Sequence, residues 1–263
     1  MWQKIILALL FSLPICSVVL ASDLAKEKRW ADQIVDSIMV GEAQWLTTKG
    51  GLKFLSLYTK NNSDIKIGGA IILHGIGVHP NWSNIILPLR SQLPDYGWHT
   101  LSIQLPILPN ESEYKEYAPL FAEVAPRIEA AIKFLNKKGV KNIVLVGHSL
   151  GSTMGAYYLA QHPDNQIRAL VAVGVSGTIF QDSEKGYLRS ITQIKLPVLD
   201  LFGGNDIPGV LETEKLKVQA AKKSGTKHYT QIKVPGADHF FDNKDDELVE
   251  NVRNWLLNNA GRK

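Results

Sequence analysis

The chain has 263 residues, enough for one large α/β domain or two small ones, and 45% of them are hydrophobic. Charged residues make up 21% and the mean hydropathy is -0.05, values typical of a globular domain that folds in water. The formal net charge is only +4, and no run of lysine and arginine is long enough to indicate a nucleic-acid-binding surface. Nucleic acid is therefore not expected among its partners.

The first 22 residues have the composition of a secretory signal peptide. Lys4 supplies a short basic start, and the residues after it stay apolar up to Leu20, before a charged stretch begins. The small residues at the end of this segment predict cleavage after Ala21 or Ser22. An uncleaved membrane anchor is the alternative, and the modest length of the apolar run and its interruption by Pro14 disfavour it.

The only cysteine, Cys16, lies in this leading segment. A mature chain without cysteine forms no disulfide and performs no thiol chemistry, which fits a bacterial periplasm or the cell exterior. No second hydrophobic stretch is long enough to span a bilayer. We therefore expect an exported protein, periplasmic or secreted, without stable membrane insertion after the signal segment is removed.

The rest of the chain alternates between helical and strand patterns. Spaced apolar residues predict an amphipathic helix over 23–40 that lies outside the main fold, and the turn at 49–51 predicts an antiparallel hairpin between strands 44–47 and 52–58. The later predicted strands cover 68–73, 98–105, 141–146, 167–175, 196–202 and 228–234; the later predicted helices cover 81–93 with a kink at Pro88, 114–138, 152–161, 212–224 and 245–259.

This alternation predicts the fold class. Most of the predicted strands are too apolar to face water on either side, which indicates an α/β fold with a mostly parallel central sheet and helices on both faces. The hairpin adds antiparallel strands at the N-terminal side. We see no repeat, linker or low-complexity tract, so 1–22 is predicted to be a signal peptide and 23–263 a single domain.

The pentapeptide 147–151 has the pattern Gly-x-Ser-x-Gly and stands between a predicted strand and a predicted helix. In a nucleophile elbow, the two glycines allow a tight backbone bend that exposes the serine Oγ at the edge of a sheet. The context therefore favours Ser149 as a nucleophile over a serine that only caps the helix.

A serine hydroxyl needs a general base, and the base needs a group that fixes its tautomer. Asp206 and His239 each follow a predicted parallel strand, so they should reach the same sheet edge as Ser149. Asp200 and Asp238 are alternative acids, but Asp200 lies within an apolar strand and Asp238 adjoins the histidine that it would have to orient.

An acyl-transfer site also needs donors for the oxyanion. The backbone N–H of Leu150, which follows the serine, is one predicted donor. The turn His74-Gly75-Ile76-Gly77 comes directly after a predicted strand and should supply the second, from Ile76.

These motifs together resemble the α/β-hydrolase superfamily over nearly the whole mature chain. The stretch 71–82 more narrowly resembles a functionally uncharacterised family of exported bacterial proteins with that fold. The superfamily resemblance implies a nucleophile, an acid and a base at Ser149, Asp206 and His239, and an α/β-hydrolase fold without a large lid domain. The narrower resemblance implies no substrate.

The sequence thus predicts an exported serine hydrolase that cleaves a small-molecule or lipid-like acyl substrate, with a carboxylic ester or thioester favoured and with no cofactor or metal. The loops 106–117 and 176–195 should border the site. Their aromatic residues either form an apolar wall or pack internally: these are Tyr114, Tyr117, Phe180 and Tyr187. The alternative function is a noncatalytic scaffold of the same fold that binds an envelope component or a partner protein.

Overall fold

The structure is a computed structural model that describes residues 22–225 and 228–261. The predicted signal peptide, apart from Ser22, lies outside the described residues. No helix of the described ranges combines the length and the apolar character that are needed to cross a membrane.

Eight strands form one sheet. They are β1 (Glu42–Thr47), β2 (Lys53–Thr59), β3 (Gly68–Leu73), β4 (Trp98–Ile103), β5 (Ile143–His148), β6 (Ile167–Val173), β7 (Val198–Gly203) and β8 (Tyr229–Val234). Their order across the sheet is β1-β2-β4-β3-β5-β6-β7-β8. β2 pairs antiparallel with β1 and with β4, and all other neighbours are parallel.

Eight α-helices accompany the sheet. They are α1 (Leu24–Ser37), α2 (Ile86–Gln92), α3 (Phe121–Lys137), α4 (Leu150–Gln161), α5 (Tyr187–Ile191), α6 (Pro208–Leu211), α7 (Glu214–Lys223) and α8 (Asp245–Ala260) among the described residues. Side chains of α3, α4, α5 and α7 pack on one face of the sheet, and those of α2 and α8 pack on the other.

The central strands are buried on both sides because successive side chains point to opposite faces. In β3, Ile71 and Leu73 join the core under α3 and α4, whereas Ala70 and Ile72 join the core under α2 and α8. This confirms the predicted α/β-hydrolase fold, with its mostly parallel sheet, helices on both faces and N-terminal antiparallel strand pair.

Two predicted helices begin later than their apolar patterns suggested. The first starts at Ile86 rather than at residue 81, and Pro88 lies in its first turn, where its missing N–H costs no intrahelical bond and no kink is needed. The second is a 3-10 helix from Tyr114 to Leu120, followed by α3. Pro119 lies in the 3-10 segment and cannot supply the N–H that a continuous α-helix requires there.

Helix α1 is fixed to the fold at its beginning. The backbone N–H of Asp23 donates to the carbonyl of Ile107 at 2.7 Å, and the Asp23 side chain caps the helix by accepting from the N–H of Lys26 at 2.9 Å. Further along, Ala31 and Ile34 pack against β2. The predicted amphipathic helix is therefore present, and its apolar face packs against β2, near one edge of the sheet.

Candidate active site

The pentapeptide 147–151 forms the sharp strand-to-helix turn that its pattern predicted. β5 ends at His148, α4 begins at Leu150, and Ser149 between them has φ 51° and ψ −119°. A positive φ is uncommon for a residue with a Cβ and stores strain in the backbone. Ser149 is therefore held in a conformation that the surrounding packing must enforce.

That packing explains the two glycines. A Cβ on Gly151 would overlap the carbonyl oxygens of His74 and Leu73 at the end of β3, and a Cβ on Gly147 would lie 2.7 Å from the backbone of Ser152. Any larger residue at either position would push the turn away from the sheet. The elbow thus depends on close backbone contacts that only glycine allows.

His239 and Asp206 lie together as a hydrogen-bonded pair. Nδ1 of His239 is 2.6 Å from Oδ1 of Asp206, and both side chains are buried. Asp206 is fixed in turn, because its carboxylate accepts backbone N–H groups from Ile207 at 2.8 Å and from Gly203 at 3.2 Å. With the carboxylate as acceptor, Nδ1 carries the proton and Nε2 has a free lone pair.

Both alternative carboxylates are engaged elsewhere. Asp200 is buried in β7, where it pairs with Nζ of Lys217 at 3.0 Å and accepts from the hydroxyl of Tyr229 at 2.7 Å. Asp238 accepts the backbone N–H groups of Phe240 and Asp242 and so shapes the turn that contains His239. The geometry favours Asp206 as the partner of His239.

The turn after β3 is held by a buried histidine. Nδ1 of His74 donates to the carbonyl of Gly75 at 2.8 Å, and Nε2 accepts the N–H of Leu105 at 2.9 Å. Burial lowers the pKa of His74 to about 3, so the ring is neutral near neutral pH. In a trans peptide the C=O and the next N–H point in opposite directions, so this anchor directs the N–H of Ile76 away from His74.

Leu150, one predicted oxyanion donor, directly follows Ser149, and Ile76, the other, lines the same cavity as the serine. Leu150 is the first residue of α4, where backbone N–H groups have no intrahelical acceptor and the helix dipole favours negative charge. Gly75 packs closely on the serine, since a Cβ there would lie 3.5 Å from the Cβ of Ser149. The structure thus brings both predicted segments to the nucleophile.

His148, next to the serine, contacts the segment that carries His239. Its Nε2 donates to the backbone carbonyl of His239 at 3.0 Å, and the two rings lie 4.9 Å apart. Burial, and then the neighbouring His239, lower the pKa of His148 to about 4, so this donor is a neutral imidazole. The elbow and the histidine loop are therefore joined directly.

A cavity of about 310 Å³ opens over these groups and is lined by Ser149 and His239 together with a mostly apolar wall. The remaining lining residues are Gly75, Ile76, Val78, Trp82, Tyr114, His148, Ile207 and Phe240. No carboxylate, lysine or arginine is among these described residues. The site can accordingly hold an uncharged, apolar group beside the serine hydroxyl.

The loops 106–117 and 176–195 contribute one residue, Tyr114, to the lining of this cavity. Of the four loop aromatics only Tyr114 lines the cavity, while Tyr187 is fully buried in α5 and Phe180 packs edge-on against Phe121. No residue of 176–195 is among the residues that line this cavity, and Tyr187 and Ile191 of this segment pack into the core. The sequence reading missed Ile207 and Phe240, although each directly follows a predicted site residue.

Within the described residues no group of three or more His, Cys, Asp or Glu side chains could hold a metal ion. The ring of His79 makes edge contacts with the rings of Trp30 and Trp82, at centroid distances of 5.2 and 5.5 Å. It stabilises the loop that contains Trp82.

Two overlapping segments, 23–125 and 109–258, match the model of a family described as "Protein of unknown function (DUF3530)". The chain belongs to this family. A search of curated protein sequences found no match. Membership of this family names no activity, so the chemistry must be inferred from the residues of the site.

Solved structures share the fold. Est1E from Butyrivibrio proteoclasticus is 18% identical with a TM-score of 0.62, over 82% of this chain and 98% of that one. The esterase Pf2001 from Pyrococcus furiosus is 17% identical with a TM-score of 0.65, over 84% and 93%. A putative dienelactone hydrolase from Klebsiella pneumoniae is 20% identical with a TM-score of 0.64, over 83% and 97%. At these identities the similarity establishes an α/β-hydrolase fold.

The hydrogen bond from His148 can be tested by replacement with a ring that has no donor. We predict that His148→Phe lowers the free energy of unfolding by about 1–2 kcal/mol, because the buried carbonyl of His239 loses its partner. Urea denaturation would measure the change. His228→Phe, at an exposed histidine, should stay within about 0.5 kcal/mol. Equal stability of the wild type and His148→Phe would show that the bond contributes nothing.

Proposed function

We propose that the chain is an exported serine hydrolase that cleaves an acyl bond, with a carboxylic ester or thioester favoured. Ser149 is the nucleophile, His239 the general base and Asp206 the group that orients it. The observation that carries this proposal is the 2.6 Å contact between His239 and Asp206, because His239 lines the same cavity as a strained, buried serine. A helix-capping serine would require neither the strain nor the pair.

The chemistry follows from the proton positions. Nε2 of His239 accepts the proton of the Ser149 hydroxyl as Oγ attacks the acyl carbonyl, and Asp206 stabilises the imidazolium through Nδ1. The imidazolium then returns the proton to the leaving alcohol or thiol, and an acyl-enzyme remains. Water, deprotonated by the same imidazole, attacks the acyl-enzyme and releases the acid, which restores the serine.

Negative charge on the carbonyl oxygen develops next to the N–H groups of Leu150 and Ile76. These donors are fixed before the reaction, the first by α4 and the second by the His74 anchor. A preorganised donor of this kind is worth a rate factor of about 10² to 10³. His74 therefore acts as a positioning residue through the backbone of Gly75.

The α/β-hydrolase fold supports an enzyme, since the esterase from Pyrococcus furiosus has the same fold. The rival function is a noncatalytic scaffold, for which an apolar cavity would suffice. The scaffold does not account for a neutral, buried His74 or for the Asp206 contacts that fix one tautomer of His239.

A fluorophosphonate probe separates the enzyme from the scaffold. We predict that the folded protein is labelled and that Ser149→Ala abolishes labelling, because only an activated serine reacts with this probe. Ser152→Ala is the matched control, since Ser152 is a buried serine in the first turn of α4, three residues after Ser149, and its replacement should leave labelling intact. In a separate assay with a p-nitrophenyl ester, His239→Ala should reduce turnover by roughly 10⁴ to 10⁶.

An unlabelled but folded wild type would favour the scaffold. Labelling that persists in Ser149→Ala would place the nucleophile elsewhere. Circular dichroism on each variant separates loss of chemistry from loss of fold.

The cavity also predicts substrate preference. Tyr114, Ile207 and Phe240 at its rim are 37%, 37% and 43% exposed, and its described lining has no charged group that could pair with an anion. We expect kcat/KM for an uncharged p-nitrophenyl acyl ester to exceed that for the terminal-carboxylate hemisuccinate by about 10²-fold, because the carboxylate would be desolvated without a partner. The comparison should include an aryl acyl ester, since a solved structure of Est1E contains ferulic acid.

Tyr114→Lys adds a cation at the rim of the cavity. It should therefore lower the ratio of kcat/KM for the uncharged ester to kcat/KM for the hemisuccinate. Leu257→Lys, at an exposed position on α8, should leave it unchanged. Equal rates for charged and uncharged esters in the wild type would contradict this substrate class.

We further propose that the mature protein begins at Ser22. The Ser22 backbone nitrogen lies 3.2 Å from one Glu123 oxygen, and its hydroxyl donates to the other at 2.6 Å. Cleavage after Ala21 would convert this nitrogen to an ammonium beside a carboxylate, whereas cleavage after Ser22 would remove both contacts. Intact mass of the protein recovered from a bacterial periplasm should give Ser22 as the first residue. A first residue at Asp23, or an uncleaved chain, would contradict the assignment.

A further inference from the structure

A second cavity, of about 250 Å³, lies at the opposite edge of the sheet from Ser149. It opens where β2 ends and where β3, β4 and β5 begin. Four lysines line it: Lys60, Lys66, Lys138 and Lys141. No carboxylate is among its described lining residues, and within 22–225 and 228–261 none of these lysines forms an ion pair.

The four lysines come from different parts of the chain, so no single helix end or charged run explains why they lie together. Lys138 follows the C-terminus of α3, where a cation complements the helix dipole. Lys60 and Lys66 flank the loop between β2 and β3, and Lys141 precedes β5, so no helix end accounts for them. Four like charges around one small cavity repel each other, and a bound anion would relieve that repulsion.

Lys138 is held in place before any ligand binds. Its Nζ lies 5.2 Å from the ring centre of Tyr58 and 5.5 Å from that of Phe134. Such contacts attract the ammonium to the ring faces and limit the number of rotamers. The cavity therefore has at least one preorganised cation.

His99 also lines the cavity. Its Nδ1 accepts the backbone N–H of Asn61 at 3.3 Å and lies 2.7 Å from the hydroxyl oxygen of Tyr58. The rings of Tyr58 and His99 are nearly parallel, with their centres 5.8 Å apart. Because Nδ1 is the acceptor, the neutral ring carries its proton on Nε2. Burial, and then the positive charges of Lys60, Lys66 and Lys138, lower the pKa of His99.

We propose that this cavity binds a phosphate group through its four lysines and the Nε2–H of His99. Phosphate is a compact oxyanion with up to two negative charges and several acceptor oxygens, whereas a single carboxylate would leave most of the lysine charge uncompensated. The group belongs either to a small soluble phosphate or to a phospholipid headgroup. Ile65 beside Lys66 is 64% exposed and could contact a lipid surface.

The first experiment uses inorganic phosphate and the imidazole NMR signals of His99 at low ionic strength. We expect a saturable shift of these signals in the wild type. The double variant Lys60→Gln/Lys66→Gln should weaken binding by roughly tenfold to thirtyfold. Lys222→Gln/Lys223→Gln, at exposed positions on α7, removes the same charge elsewhere and should leave binding unchanged.

The second experiment measures sedimentation with vesicles of phosphatidylcholine, with and without phosphatidylglycerol. Binding to the anionic vesicles that is lost only in the Lys60/Lys66 variant identifies the headgroup as the source, and phosphate binding without vesicle binding identifies a soluble ligand. If phosphate or vesicle binding weakened equally in both double variants, binding would depend only on the overall surface charge, and the proposed site would be wrong. Absence of a specific response to both probes would also overturn it.

Discussion

The close approach of the elbow to the end of β3 is the constraint on which the candidate site depends. Gly151 lies against the carbonyls of Leu73 and His74, and this contact holds Ser149 at a positive φ. Strain of this kind costs about 1–3 kcal/mol, and the buried cores on both faces of the sheet offset it. Because the same carbonyls lead into the turn at 74–77, one backbone contact sets the distance between the nucleophile and the predicted oxyanion donor of Ile76.

Three histidines near that contact, His74, His148 and His239, make different hydrogen bonds. His74 and His148 are buried, and burial is the largest cause of their low pKa values of about 3 and about 4. Both therefore stay neutral and serve as hydrogen-bonding anchors, one for the carbonyl of Gly75 and one for the carbonyl of His239. His239 instead pairs through Nδ1 with the carboxylate of Asp206 and borders the cavity. Environment, rather than residue type, separates structural histidines from the proposed base.

The sequence predicted what depends on local pattern. Apolar runs located every strand of the parallel sheet, and glycine-flanked turns at strand ends located Ser149, Asp206 and His239. It could not predict the cavity wall, because whether an aromatic residue faces a cavity or the core is decided by packing between distant elements. Tyr187 and Tyr114 both looked like loop aromatics, yet the first is fully buried in α5 and the second lies at the rim. The helix starts at 86 and 121 were missed for a local reason, since proline changes the backbone without changing the apolar period.

Helix α1 is part of the support of the site rather than an external addition. Glu27 accepts two hydrogen bonds from Arg127, which also donates to the carbonyl of Gln104, and the Gln104 amide reaches Nε2 of His74 at 3.0 Å. Burial raises the pKa of Glu27, and the charge and hydrogen bonds of Arg127 oppose the rise. Removal of Glu27 would take away both of these hydrogen bonds and leave Glu123, at 3.7 Å, as the carboxylate beside the buried guanidinium, next to the residues that hold the turn at 74–77. A segment far from Ser149 in sequence thereby helps to fix the donor that the proposed reaction requires.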